Sequence, residues 1–153
     1  NRPTDVPPPS ATENHLDPEQ QLGILESDTV NDWSRWSEGA SSRIEDLPPE
    51  LRVLLSEMTP SSITTLRSPD KNLASGFFIK FFSSKAIAEM HKKLADTLLQ
   101  EGWTLVAGRR TSQASRLEFS KKNQASGQWI IEIEMSQKQS QEISGLLRYA
   151  AMP

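Results

Sequence analysis

The chain of 153 residues has no cysteine. Without thiols, the sequence excludes a disulfide scaffold, a cysteine-ligated zinc site, an iron–sulfur cluster and a cysteine nucleophile. No apolar run approaches the roughly 18 residues that a membrane-spanning helix needs. Histidine is scarce too, because only His15 and His91 are present and neither has a ligand-type companion at metal-binding spacing. We therefore expect no metal and no cofactor.

Charge and proline are distributed unevenly along the chain. Residues 1–75 contain 6 Lys and Arg against 13 Asp and Glu, whereas residues 76–153 contain 11 against 7. Nine of the ten prolines lie in the first half. Since only 35% of the residues are apolar, we expect one modest core. The sequence predicts a Pro-rich flexible tether at 1–27, an acidic helical or loop arm at 28–75 and a compact α+β domain at 76–153.

The predicted tether has three consecutive prolines, Pro7, Pro8 and Pro9, which favour extended polyproline chain. Its few apolar side chains cannot offset the entropy of ordering it alone. It is therefore interpreted as a linker, or alternatively as a segment that orders on a partner. Because such tethers are typical behind a cleaved signal or a lipid anchor, we expect an exported bacterial protein.

The acidic arm contains two helix candidates. Prolines are tolerated in a first helical turn, so Asp46–Met58 is predicted as a helix with Asp46 as its cap. The weaker candidate is 28–38, in which Val30, Trp33 and Trp36 are spaced by threes. The two tryptophans either dock on the domain or anchor a partner, as exposed tryptophan often does. The candidate partner-binding residues are Trp33, Trp36, Leu51, Leu54, Leu55 and Met58.

The C-terminal domain has the clearest periodicity. Alternation over 76–82 predicts a strand, with Phe78, Lys80 and Phe82 on one face. A helix is predicted at 84–100 and a stop at Gly102 in the left-handed conformation. The apolar stripe of this helix consists of Ile87, Met90, His91, Leu94 and Leu98.

Four further alternating segments, near 103–108, 116–120, 129–135 and 146–149, predict strands joined by short polar loops. The fold class is therefore α+β, with the order β-α-β-β-β-β. We expect a mainly antiparallel sheet of four to five strands packed on one helix, with one face buried and the other wet.

A strand rich in aromatics, a helix ending in Leu-x-x-x-Gly-Trp and a run of short strands occur together in this sequence. The segments are Phe77–Phe82, Leu98–Trp103, Leu117–Phe119 and Trp129–Ile133. This pattern resembles small β-α-β-β-β modules of bacterial exported proteins and lipoproteins, and its layout is similar to helix-grip modules of outer-membrane assembly lipoproteins. The resemblance implies a mostly non-catalytic module behind a signal peptide or lipid anchor. No lipobox cysteine is present here, so an anchor would attach outside this sequence.

The sequence contains few candidates for catalytic residues. No serine lies in a Gly-x-Ser-x-Gly motif, and a triad would need one of the two histidines as its base. His91 lies beside the helix stripe, which favours a boundary position. Glu132 and Glu134 share a predicted strand face, where solvation is favoured over a carboxylate pair because a raised pKa requires burial. We expect no catalytic residues.

A cationic cluster in the hairpins after the helix is the other candidate site. With the aromatic face of the first strand, it predicts either a solvated surface, a contact for an acidic protein or anionic lipid, or a single-stranded RNA platform. An RNA-recognition sheet would need a second helix before its last strand, and 136–142 is too short for one. The candidate anion-contact residues are Arg109, Arg110, Arg116, Lys121 and Lys122.

These patterns favour a non-enzymatic structural or adaptor subunit of a bacterial cell-envelope assembly, located in the periplasm or envelope. Its partners are expected to be other proteins of a larger assembly, without a small-molecule substrate, with peripheral membrane association through an anchor outside this sequence. The alternative is a cytoplasmic nucleic-acid-binding module that uses the aromatic and basic sheet face.

Overall fold

The computed structural model describes residues 33–69, 76–122, 127–138 and 141–152. Within them, seven strands form one sheet and two α-helices pack on it. Every neighbouring pair of strands is antiparallel, and the spatial order is β1-β2-β3-β7-β6-β5-β4. The elements are β1 (Ser37–Ser41), α1 (Pro49–Leu55), β2 (Thr59–Arg67), β3 (Gly76–Ser83), α2 (Ile87–Gln100), β4 (Thr104–Arg110), β5 (Ala114–Lys122), β6 (Gln128–Gln137) and β7 (Ile143–Met152).

The predicted order β-α-β-β-β-β is confirmed as β3-α2-β4-β5-β6-β7, and the α+β class is confirmed with it. The predicted strand number of four to five is wrong, because the chain before residue 76 adds β1 and β2 to the same sheet. Strands from before and after residue 76 thus lie in one sheet.

Helix α2 forms as its apolar stripe predicts, since all five stripe residues are buried. It begins at Ile87 rather than Ser84, after Ala86, whose side chain offers no cap. The cap comes from the side chain of Gln137 on β6. Its Oε1 accepts a hydrogen bond from the Ile87 amide at 3.3 Å, and its Nε2 donates to the Lys85 carbonyl at 3.3 Å. Gly102, at φ +92°, ends the helix region as predicted.

Helix α1 is shorter than predicted. Asp46 belongs to a preceding 3-10 turn, where its carboxylate accepts from the Arg43 amide at 2.9 Å, and the helix begins at Pro49. The weaker helix predicted at 28–38 is wrong over its described part, because a turn follows Trp33 and β1 begins at Ser37. Residues 28–32 lie outside the described residues.

The main core lies between the sheet and the two helices. The apolar side chains of β3, β5, β6 and β7 that point towards α1 and α2 form one cluster with both helices. The cluster also contains Leu51, Leu54, Leu55 and Met58, which are buried. The partner-binding role predicted for these four is therefore corrected: a helical apolar stripe next to a sheet is buried by that sheet.

A second, smaller cluster lies on the opposite side of the sheet. It consists of Trp33, Leu66, Phe78, Ile130 and Ala150, with Trp36 and Leu146 packed against it. Trp33 is 9% exposed, and the two indole centroids are 5.2 Å apart. The tryptophans thus dock on the domain, one of the two roles that the sequence allows, and Trp33 is not an exposed anchor.

None of the helices in the described part of the chain is long and apolar enough to cross a membrane.

Candidate binding face

The sheet face opposite α1 and α2 is called the open face below. Its side chains alternate along β3, β7, β6, β5 and β4, and antiparallel register aligns them in rows. One row runs Phe78, Arg148, Glu132, Glu118, and the next runs Lys80, Leu146, Glu134, Arg116. Aromatic, cationic and acidic groups therefore meet on one surface.

An ion network occupies the middle of this face. The Arg116 guanidinium donates to Glu132 at 2.8 Å and to Glu118 at 3.1 Å. From the other side, Arg148 donates to Glu132 at 2.7 Å and to Glu134 at 3.2 Å. Glu118 and Glu132 are buried. The solvated position expected for Glu132 is therefore wrong, because two arginines and the neighbouring side chains enclose it.

The network holds its cations in fixed positions. Burial lowers the pKa of Arg116, but the hydrogen bond and charge of Glu132, followed by the charge of Glu118, outweigh burial and raise that pKa above its usual value. A guanidinium held by two carboxylates keeps its plane in one orientation, so this cation is ordered before any ligand binds.

A cleft of about 470 Å³ opens at the end of the face where β4 turns into β5. Its walls include Arg109, Arg116, Glu134 and Leu146. Beside it, Phe82 pairs in register with Ser144, another wall residue, and is 42% exposed. The cleft thus combines cations, one carboxylate and apolar surface, which suits a ligand that is both acidic and apolar.

The aromatic platform predicted on β3 is only half available. Phe78 is buried, with the Arg148 guanidinium carbon 5.2 Å and the Lys80 ammonium 6.0 Å from its ring centroid. Phe82 is exposed. Base stacking by single-stranded RNA needs accessible rings, so one of the two predicted positions is covered.

The predicted anion-contact residues do not form one site. Arg109 and Arg116 lie opposite each other in the β4–β5 register, on the open face. Arg110 lies opposite Ser115, on the other face. Lys121 donates to the Glu101 carbonyl at 2.9 Å, where it caps the end of α2.

Lys121 also lies 5.6 Å from the Trp103 ring centroid, and Lys122 is exposed at the end of β5 away from the cleft. These five residues were predicted together because they are close in sequence. Alternation places Arg110 and Lys121 on the other face, and Lys122 lies on the open face but outside the cleft lining.

His91 is not a boundary residue. It is buried, and its Nδ1 lies 2.7 Å from the Ser115 hydroxyl oxygen, so this pair links α2 to β5 inside the protein. No group of three or more His, Cys, Asp or Glu residues able to hold a metal occurs in the described ranges.

Sequence reasoning missed Glu118, Arg148 and Leu146 as members of this face. The available signal was opposite charge at alternate positions: Arg116 and Glu118 on one strand, Glu132 and Glu134 on the next. Because i and i+2 share a face, such a pattern on adjacent strands predicts cross-strand ion pairs. Arg148 carried no such local signal.

No family model, no curated protein and no solved structure matches this chain.

Proposed function

We propose that the protein is a non-enzymatic adaptor subunit of a bacterial cell-envelope assembly, and that it binds an acidic segment of a partner protein on the open face. The observation that carries the binding role is the cleft, which Arg109 and Arg116 line and beside which the ring of Phe82 is exposed. Such a junction recognises carboxylates and apolar side chains in one short segment.

The chemistry of the face supports a peptide ligand. An exposed aromatic ring supplies apolar area with little conformational entropy to lose, which is why aromatic residues dominate interface energetics. Cations already held by Glu118, Glu132 and Glu134 are pre-oriented, so binding orders fewer side chains. The charges then set specificity and association rate.

A protein ligand is favoured over nucleic acid by two features of the face. Phe78 is covered by Arg148, so a strand of bases finds Phe82 alone to stack on. Across β3–β7, five cationic side chains face three carboxylates, a modest excess for a polyanion.

Titration with defined probes tests this proposal. The probes are a peptide of alternating glutamate and leucine, the same peptide with lysine for glutamate, and a short single-stranded RNA. We expect the full chain to bind the glutamate peptide, and Lys80→Glu to weaken that binding about tenfold, or about 1.4 kcal/mol. The matched control is Arg52→Glu, an exposed cation of α1 on the covered side of the sheet.

Equal binding of the two peptides would contradict the proposal, and salt-dependent binding of the RNA alone would favour the nucleic-acid alternative. The cell-envelope location and the adaptor role rest on the resemblance stated from the sequence. Fractionation of the source cells tests them separately, with recovery in the periplasmic or membrane fraction as the expected result.

A further inference from the structure

We propose that a second cleft, at the end of the open face away from the β4–β5 turn, binds a phosphate ester whose organic part carries hydroxyl groups, such as a sugar phosphate. The inference goes beyond the proposed function, because both the ligand and the residues differ from those of the first cleft. It rests on three observations: the position of the second cleft, the polar donors in its walls and the two lysines among them.

The second cleft lies where β5 ends and β6 begins, and its volume is about 800 Å³. Its lining includes Ser120 on β5, whereas the lining of the first cleft includes Ser115 on the same strand. Ser120 is five positions after Ser115, which corresponds to about 17 Å at about 3.3 Å per residue. The two clefts are therefore separate sites.

The walls of the second cleft are polar. Register places Thr104 opposite Ser120 and Lys122 opposite Gln128, and alternation puts all four side chains on the open face. Thr104, Lys122 and Gln128 are exposed, so a ligand can reach them. Among the described residues, neither a carboxylate nor a large apolar side chain lines this cleft. It therefore suits a hydrophilic anion and not an acidic, apolar peptide.

Two lysines give the second cleft its positive charge. The Lys121 ammonium is held in place, because it donates to the Glu101 carbonyl at 2.9 Å and lies 3.9 Å from a Glu50 carboxylate oxygen. Part of its charge is thus already compensated. Lys122 is exposed and forms no ion pair with the residues that the structure describes. Its charge is therefore available to a ligand.

Phosphate is the anion that these groups suit best. A phosphate monoester has three strong acceptor oxygens and carries about −1.5 to −2 charge at neutral pH, whereas a carboxylate has two oxygens and one charge. Lysine, hydroxyl and amide groups are the usual donors to phosphate oxygens. The volume of the cleft lies in the range of small-ligand sites and exceeds that of one phosphate. Because the walls are polar, the remaining space suits a sugar or glycerol.

Backbone amide shifts, measured by NMR on the full chain at constant ionic strength, locate the binding. The probes are glucose 6-phosphate, glucose and inorganic phosphate. We expect glucose 6-phosphate to shift the amides of Thr104, Ser120 and Gln128 with a dissociation constant of about 1 mM or below. Inorganic phosphate should bind at least about threefold more weakly. Equal effects of glucose and glucose 6-phosphate, or shifts confined to residues outside the second cleft, would overturn the inference.

Charge reversal separates this site from the proposed function. Lys122→Glu should weaken the binding of glucose 6-phosphate at least about tenfold and change the affinity for the glutamate peptide by less than about twofold. Lys80→Glu should show the opposite pattern. If Lys122→Glu binds the sugar phosphate as the wild-type chain does, the second cleft is overturned and the proposed function stands. A wild-type chain that binds the sugar phosphate but not the peptide would refute the proposed function alone. Thermal unfolding verifies that each variant is folded.

Phospholipid headgroups carry the same phosphate ester chemistry, so vesicles distinguish the source of the ligand. Sedimentation with vesicles of phosphatidylcholine and phosphatidylglycerol is compared with sedimentation with phosphatidylcholine alone. Binding to the phosphatidylglycerol vesicles that Lys122→Glu removes, without binding of glucose 6-phosphate, would assign the site to a headgroup. Binding of glucose 6-phosphate without vesicle binding would assign it to a soluble ester. Absence of both would overturn the inference.

Discussion

Arg148 donates to Glu132 at 2.7 Å across the β6–β7 pair, although Glu132 is only 2% exposed. A carboxylate buried to this degree is stable only if cations and donors replace its water. Arg116 completes the arrangement from β5, at 2.8 Å. The open face is thus a rigid, internally compensated surface rather than a set of independent solvated side chains.

Replacing Arg148 with Met should lower the free energy of unfolding by about 2–4 kcal/mol, because Glu132 loses one of its two cations while it stays buried. Equilibrium denaturation measures the change. Glu134→Gln is the matched control, since Glu134 also binds Arg148, at 3.2 Å, but is 43% exposed. Its cost should stay below about 1 kcal/mol. Equal costs for the two variants would show that burial of the network contributes nothing.

The ring of Phe81, which lies opposite Gly145 on β3, leaves no room for a side chain at position 145. A Cβ at Gly145 would lie 2.1 Å from the ring, in a fully packed part of the core. Gly145→Ala should therefore destabilise the protein by about 1–3 kcal/mol. Gly108→Ala is the control, because its nearest neighbours would be 3.5 Å away.

The double variant Gly145→Ala with Phe81→Leu separates steric overlap from backbone effects. If the ring causes the cost, the double variant loses less stability than the sum of the two single variants. Strict additivity would contradict this explanation.

Gln137 should contribute more to the stability of the fold than a polar side chain at a strand end usually does. It bridges the start of α2 and the loop after β6 by three hydrogen bonds: from the Ile87 amide, to the Lys85 carbonyl and to the Gln141 carbonyl. Gln137→Ala should cost about 1–2 kcal/mol, because the backbone groups at the helix start lose their partner. Gln128→Ala at the exposed opposite end of β6 should change stability by less than about 0.5 kcal/mol.

The parts of the fold that the sequence predicts well are those in which local periodicity and burial agree. The stripe of α2 and the alternation in β3 and β6 follow directly from which residues are apolar. β1 and β2 are different, since β1 is exposed throughout and β2 contains mostly Ser, Thr and Pro. β2 is stabilised by pairing with β3, and β1 by pairing with β2. This pairing leaves no trace in local hydropathy.

The binding face shows the same limit. Alternation places Glu132 and Glu134 on one side of β6, but whether either is buried depends on which strands lie beside β6. Arg148 reaches Glu132 only because β7 returns between β3 and β6, a long-range arrangement. Lys121 and Lys122 were grouped with the arginines by sequence distance, whereas the pleat directs neighbouring residues to opposite faces.

The single tyrosine of the chain should ionise at unusually high pH. Burial, then the charge of Glu50 and the hydrogen bond from the Tyr149 hydroxyl to that carboxylate at 3.3 Å, raise the pKa of Tyr149. In the unfolded chain tyrosine ionises near pH 10, about its ordinary value. The stability that this shift provides is therefore complete below about pH 10 and is lost as the pH rises towards the folded-state pKa.

Tyrosinate absorbance measured on the folded protein reports this titration without interference from another tyrosine. Glu50→Gln should bring the titration of Tyr149 to lower pH, because the negative charge that opposes ionisation is removed while burial is retained. Tyr149→Phe should reduce the fall in unfolding free energy between about pH 9 and about pH 11, which separates the tyrosine contribution from that of the lysines. Ionisation of wild-type Tyr149 at the ordinary value would contradict the coupling between α1 and β7.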